Sequence, residues 1–136
     1  MKTVVDINIL ISASIWRGKP EAVILRAAEG LDTLFVTDDI IAEIENTIQK
    51  PKFENRQEQI NAIMSIVEKY GKKITVHPEH KITDVCRDPK DNIYLECAIA
   101  AQADYIITGD KDLLVLKEYQ GVKIVNANEY LEMINR

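Results

Sequence analysis

Residues 87–114 read RDPKDNIYLECAIAAQADYIITGDKDLL. From about Asp91 the run NIYLECAIAAQA reads as a helix. DYIITG then follows as a strand, Asp110 stands immediately after it, and DKDLLVLKEY returns to a short helix. Strands separated by helical segments imply crossover connections, and hence a mostly parallel sheet covered on both faces. The rest of the chain repeats the pattern. KTVVD predicts a buried strand ending near Asp6, followed by a short helical turn, NILISAS, with Asn8 as its expected cap. WRGKP is a loop, and Pro20 suits the first position of a helix, EAVILRAAEG, that Gly30 closes. TLFVT is a second strand. DDIIAEIENTIQK is a helix with Ile40, Ile41, Ile44 and Ile48 on one stripe, stopped at Lys50-Pro51. NRQEQINAIMSIVEKYG keeps helical spacing through Ile60, Ile63, Met64 and Val67 until Gly71. KITVH is a third strand ended by His77-Pro78, VKIVN a fifth, and EYLEMIN the last helix, where Asn126 and Glu129 have capping-box spacing. The expectation is an α/β fold with five strands.

A chain of 136 residues with 46% hydrophobic content is predicted to form one domain over residues 1–136. No apolar run approaches the roughly 18 residues of a membrane span, and Lys2 leads straight into a strand, so the expectation is a soluble, cytoplasmic protein with no membrane contact. Cys86 and Cys97 lie eleven apart without a CxxC partner, which reads as reduced thiols, Cys97 buried. The net charge of -5 is unevenly spread. Residues 84–112 carry seven acids against three bases, whereas residues 50–73 carry six bases against three acids.

The acids occupy chemically informative places. In open α/β sheets, ligands bind beyond the carboxyl ends of the strands. Asp6 ends the first strand and Asp110 follows the fourth; if those strands are neighbours, the two carboxylates repel each other unless a proton or cation lies between them. Asp91, at a helix start, can lean toward the same edge. The plainer alternative is that Asp91 and Asp110 only cap their helices. Oxygen donors without a suitable set of His or Cys point to Mg²⁺ or Mn²⁺ rather than zinc. The HPEH of residues 77–80 lies in a proline-broken loop and reads as solvated surface. The chain has no GxGxxG, no GxxxxGK[ST] and no GxSxG, which removes dinucleotide-binding, P-loop and α/β-hydrolase readings. A phosphoacceptor receiver domain would need an Asp after the third strand and a Lys after the fifth, where this chain has HPEH and NANEY.

VVDINILISA at residues 4–13, the acidic helix after the second strand, the 87–114 block and the total length together resemble a PIN domain, in particular the toxin components of prokaryotic toxin–antitoxin systems related to VapC-type ribonucleases. The resemblance implies a three-layer α/β/α fold whose edge acids bind Mg²⁺ or Mn²⁺ for hydrolysis of RNA phosphodiester bonds. Residue by residue, the catalytic and metal-binding acids fall on Asp6, Glu43, Asp91 and Asp110. Helical periodicity leaves Glu43 and Glu45 alike, and motif position favours Glu43. Asn8, Asp88, Thr108 and Asp112 are expected around these acids. Trp16, Arg17 and Lys19 are expected on the same edge to stack on and contact RNA, with Trp16 equally suited to a core or dimer contact. The implied partners are RNA, a cognate antitoxin and, as an option, a second copy of the chain. One departure stands out: the family usually has Thr or Ser after the first Asp, and this chain has Ile7. That absence keeps open a non-catalytic PIN-like domain that binds RNA or a protein.

Overall fold

The computed structural model describes residues 1–135. In chain order the elements are β1 (Lys2–Val5), α1 (Ile7–Ile15), α2 (Gly18–Ala28), β2 (Thr33–Val36), α3 (Asp38–Ile48), α4 (Gln57–Tyr70), β3 (Lys72–Lys73), α5 (Asn92–Ala101), β4 (Tyr105–Ile107), α6 (Lys111–Leu114), β5 (Glu118–Tyr119), β6 (Val122–Val125) and α7 (Ala127–Ile134). The sheet order is β3-β2-β1-β4-β6-β5, parallel throughout except for the β5–β6 pair. The chain therefore winds outward from β1 in one direction through β2 and β3, and in the other through β4 and β6. The reversal lies between β1 and β4, where Val5 pairs with Ile107 and the Asp6 amide donates to the Ile107 carbonyl at 3.0 Å.

Apolar chemistry explains the layers. Val4, Leu95, Cys97, Ala98, Ile106, Ile107 and Leu113 are fully buried, and each large aliphatic side chain among them contributes about 1.5–3 kcal/mol by leaving water. α5 is buried on nearly all sides because it lies across β1, β2 and β4, with α3 against it. α1, α2, α4 and α7 pack on one another as the second helical layer. Tyr130 of α7 meets Tyr105 of β4 edge-on at 5.1 Å between ring centres. The three-layer α/β/α expectation holds, and the Asn126–Glu129 capping box forms with bonds of 2.8 and 3.1 Å.

Several sequence expectations are corrected. The sheet has six strands, not five, because Glu118–Tyr119 folds back on Val122–Lys123 through Gln120 and Gly121, which both take positive φ, 48° and 87°. The expected helix over residues 110–119 covers only Lys111–Leu114, and Lys117, at φ 61°, turns the chain toward the hairpin. The third strand is only Lys72–Lys73. After one more bond, from the Ile74 amide to the Val36 carbonyl at 2.9 Å, the chain leaves the sheet in a largely exposed path toward His77-Pro78. Asn8 does not cap α1. Asp6 does, accepting the Asn8 amide at 3.1 Å. α2 starts at Gly18, so Pro20 is its third residue, where the missing N–H costs no intrahelical bond.

Candidate active site

The reversal between β1 and β4 brings the two strand-end acids to one edge, and a threonine joins them. The Thr108 hydroxyl, completely buried, donates to Asp6 Oδ2 at 2.6 Å and accepts the Asp110 amide at 2.9 Å. Asp110 in turn caps α6, accepting the Asp112 amide at 2.8 Å. A short 3-10 turn over Pro89–Asp91 delivers Asp91 to the start of α5. Carboxylate oxygens of Asp91, Asp110 and Asp112 lie within 4.8 Å of one another.

The electrostatics show what this convergence lacks. Burial raises the Asp6 pKa. The hydrogen bonds from Thr108 and the Asn8 amide oppose the rise, and the charge of Asp110 adds to it. Asp91 is pushed up to about 7, first by burial, then by the charge of Asp110 and a hydrogen bond shared with it, then by Asp6 and Asp88. Asp91 Oδ2 is buried with no hydrogen-bond partner among the described residues. Burial alone does not produce that state. Asp32, equally buried at the other end of the sheet, receives Arg26 at 2.8 Å, the Tyr130 hydroxyl at 2.8 Å and the N-terminal ammonium at 3.4 Å. Asp32 has cations at bonding distance; among the described residues the Asp91 cluster has only exposed Arg87 within such range, its Nε 3.5 Å from Asp112 Oδ2.

A divalent ion fits that deficit. The donors are all oxygen, and an octahedral Mg²⁺ with bonds of about 2.1 Å places its ligand oxygens roughly 3–4.2 Å apart, so modest side-chain adjustment suffices. Asp91, Asp110 and Asp112 are placed to hold such an ion, with Asp6 behind them through Thr108.

The sequence profile of the PIN domain family matches residues 2–112. The chain belongs to the PIN domain family. A relative from Methanocaldococcus jannaschii, uncharacterized protein MJ1680, is 29% identical over 136 residues, covering 99% of this chain and 82% of its own. Among solved structures, this PIN domain is similar to VapBC2 from Rickettsia felis, solved bound to a DNA fragment from its promoter. That similarity has a TM-score of 0.65, 16% identity, and coverage of 93% of this chain and 98% of the other. It is also similar to PAE2754 from Pyrobaculum aerophilum, with a TM-score of 0.63, 14% identity, and coverage of 100% and 91%.

The remaining residues singled out from the sequence distribute unevenly over the PIN domain. Glu43 is half-buried and accepts the Thr47 hydroxyl at 3.5 Å. It stands outside the close oxygen cluster, as Asp6 does, but near Tyr94, whose phenol is pushed up by burial first, by Asp6 next and by Glu43 as well. The Tyr94 hydroxyl accepts the Ile7 amide at 3.3 Å, next to Asp6 in the chain. Glu45 instead lines an apolar cleft between α3 and α4 with Ile44, Ile48 and Met64. The fold thus separates two glutamates that periodicity could not. Asn8 reaches Asp6 through its backbone, and its residue surface is exposed. Asp88 is exposed and caps the turn that carries Asp91, accepting the Lys90 amide at 3.1 Å.

Trp16, at 79% exposure, is neither core nor packed within the chain. Arg17 pairs with Glu21 at 2.9 Å, and Lys19 bonds Asn128 at the start of α7. Because α7 begins where β6 ends, that bond sets the Trp16–Lys19 loop on the carboxyl edge of the sheet, the edge of the acids. Sequence reasoning assigned no role to Tyr94, Arg87 or Glu96. Glu96 carried the one available signal, a charge in a helix otherwise composed to be buried.

Proposed function

We propose that this PIN domain, a single unit over residues 1–136, is a metal-dependent endoribonuclease that acts in the cytoplasm as the toxin of a toxin–antitoxin pair. The observation that carries the reading is the partnerless Asp91 Oδ2 inside a ring of acids at the sheet reversal. The fold shared with a VapBC2 chain supports an antitoxin as partner.

Mg²⁺ or Mn²⁺ held there would supply the charge that offsets the phosphate and favours attack of water on phosphorus. The chain's own groups do the rest. Thr108 locks Asp6 in one rotamer, because its hydroxyl is itself fixed by the Asp110 amide. Asp91, with its raised pKa, holds a proton near neutrality in the cation-free protein and surrenders it when positive charge arrives. Tyr94 stays protonated and so remains a donor toward Asp6. An acidic ring repels a polyanion, so RNA must be held from the rim. Arg87, Lys90 and Lys111 are exposed beside the acids, and Trp16 offers a flat face for a base on the same edge.

Ile7 favours a second reading. Its side chain is buried and brings no hydroxyl to the site, which suits a PIN domain that binds RNA or a protein without cutting. One assay separates the two. Purified wild type and Asp110→Asn are incubated with a mixed RNA pool in Mg²⁺, Mn²⁺ or EDTA, with circular dichroism confirming the fold. Cleavage by wild type alone, abolished by EDTA, is the result expected of the nuclease; equal cleavage by both proteins removes the proposal, and cleavage by neither puts the binder ahead.

A further inference from the structure

Glu96 is 5% exposed, lies outside the acid ring, and still finds partners on both of its oxygens. Oε2 accepts the Ile82 amide at 2.6 Å, and Oε1 lies 3.5 Å from Lys81 Nζ. The same ammonium is 2.5 Å from Asp39 Oδ2, in the first turn of α3. One turn before Glu96, the Asn92 side chain accepts the Cys86 amide at 3.0 Å. The first two turns of α5 therefore hold the segment from Lys81 to Cys86 against the helix, and Lys81 ties that segment across to α3.

The two helices so joined are those that carry Glu43 and Asp91. Asp39 precedes Glu43 by four residues, so both lie on one side of α3. Asp91 adjoins Asn92, which precedes Glu96 by four residues on α5. We infer that Glu96 and Lys81 are positioning residues: a clamp that sets the spacing of α3 and α5 and thereby places Glu43 opposite Asp91 for a divalent cation. This rests on the proposed cation site and on the sequence expectation that Glu43 joins it, reaching the ion from outside the close cluster of Asp91, Asp110 and Asp112. Neither Glu96 nor Lys81 touches the cation. Their effect is on the geometry of acids that do; removing direct partners of metal ligands typically shifts metal affinity by ~10–100-fold, and for this less direct clamp the low end of that range is expected.

Lys81→Met removes the bridge at a side chain 43% exposed, so the protein is expected to fold normally. Glu96→Gln keeps an oxygen for the Ile82 amide but loses the charge for Lys81. Lys81→Arg retains a cation of similar reach. Mn²⁺ dissociation constants from electron paramagnetic resonance titration are the first readout, hydrogen exchange of the Ile82 amide the second, and the split of RNA cleavage between KM and kcat the third. The expected result is Mn²⁺ binding about tenfold weaker in Lys81→Met and Glu96→Gln, restored toward wild type in Lys81→Arg, with the cleavage defect relieved at high Mn²⁺ and KM for RNA unchanged. If both variants bind Mn²⁺ as wild type does, whatever the Ile82 amide does, the clamp only anchors a loop and the inference fails while the nuclease reading stands. If wild type binds Mn²⁺ no better than Asp110→Asn, the cation site and the clamp fall together. Should Glu96→Gln not fold, Lys81→Met and Lys81→Arg decide alone.

Discussion

Replacing Asp91 by Asn tests the electrostatics of the site without RNA or activity. In the cation-free protein the Asp91 carboxyl is pushed up to about 7, against 3.8 for an ordinary Asp. A raised carboxyl pKa means that the folded state binds the proton more tightly than the unfolded one. The contribution of Asp91 is therefore fully present below about pH 4, and it is lost as the pH rises toward 7. Three pH units at ~1.4 kcal/mol each bound the loss at about 4 kcal/mol. The cluster opens to water at half-exposed Asp110 and Asp112, and screening there reduces the loss to about 1–2 kcal/mol. The amide introduced by Asp91→Asn has the shape of the protonated acid and cannot ionise, so at pH 8 in EDTA the variant is expected to melt roughly 3–8 °C above wild type. At pH 5, where roughly a third of the loss has accrued, the gap is expected to shrink in proportion. Mn²⁺ is expected to reverse the order at pH 8, because a ligand that binds only the folded state stabilises it, and the variant offers that ligand one charge fewer. Differential scanning fluorimetry at the two pH values, with and without Mn²⁺, reads all four cases. An Asp91→Asn protein that melts at or below wild type in EDTA at pH 8, or an equal Mn²⁺ shift in both proteins, would refute the account of Asp91.

Thr108→Val keeps the shape and deletes a hydroxyl that serves two partners, so it is expected to cost about 1–3 kcal/mol of stability and to weaken Mn²⁺ binding, read by denaturant melts and by metal titration. Ile7→Thr is expected to raise kcat with RNA affinity unchanged, since a water-orienting hydroxyl acts chiefly in the transition state. The same change in a buried side chain should lower the melting temperature, and an unchanged kcat would mean that the site does without the group. Trp16→Ala, at an exposed position, should leave the melting temperature as it is and weaken RNA binding by about 1–3 kcal/mol if one base stacks there, measured by fluorescence anisotropy in EDTA.

The alternation of strands and helices was legible in the sequence because buried parallel strands leave apolar runs and because Pro51, Gly71 and Pro78 punctuate them. The adjacency of β1 and β4 was not. Asp6 and Asp110 could be recognised as strand-end acids, but only the sheet order brings them to one Thr108. Asn8 read as the cap because Asn and Asp are equally good caps, and the strand ended one residue earlier than local pattern could tell. The short β3 and the extra β5 escaped for opposite reasons. KITVH has strand composition but little to pair with beyond Ile74, whereas KEYQGVK forms a hairpin through a Gln-Gly turn with no alternating apolar run before it. Glu43 and Glu45 flank the same Ile stripe, so their separation depends on which neighbour packs on each side, Tyr94 or α4. Asp112 looked peripheral and sits in the oxygen cluster because Asp110 caps α6 and holds the Asp112 amide.

That the acid ring is a divalent-cation site is tested by anomalous diffraction from crystals grown with Mn²⁺, with data taken above and below the manganese edge. A single dominant anomalous peak is expected among Asp91, Asp110 and Asp112, within bonding distance of Asp91 Oδ2 and lost in Asp110→Asn crystals. A peak elsewhere on the surface, or none at millimolar Mn²⁺ with Asp91 still lacking a partner, would contradict it.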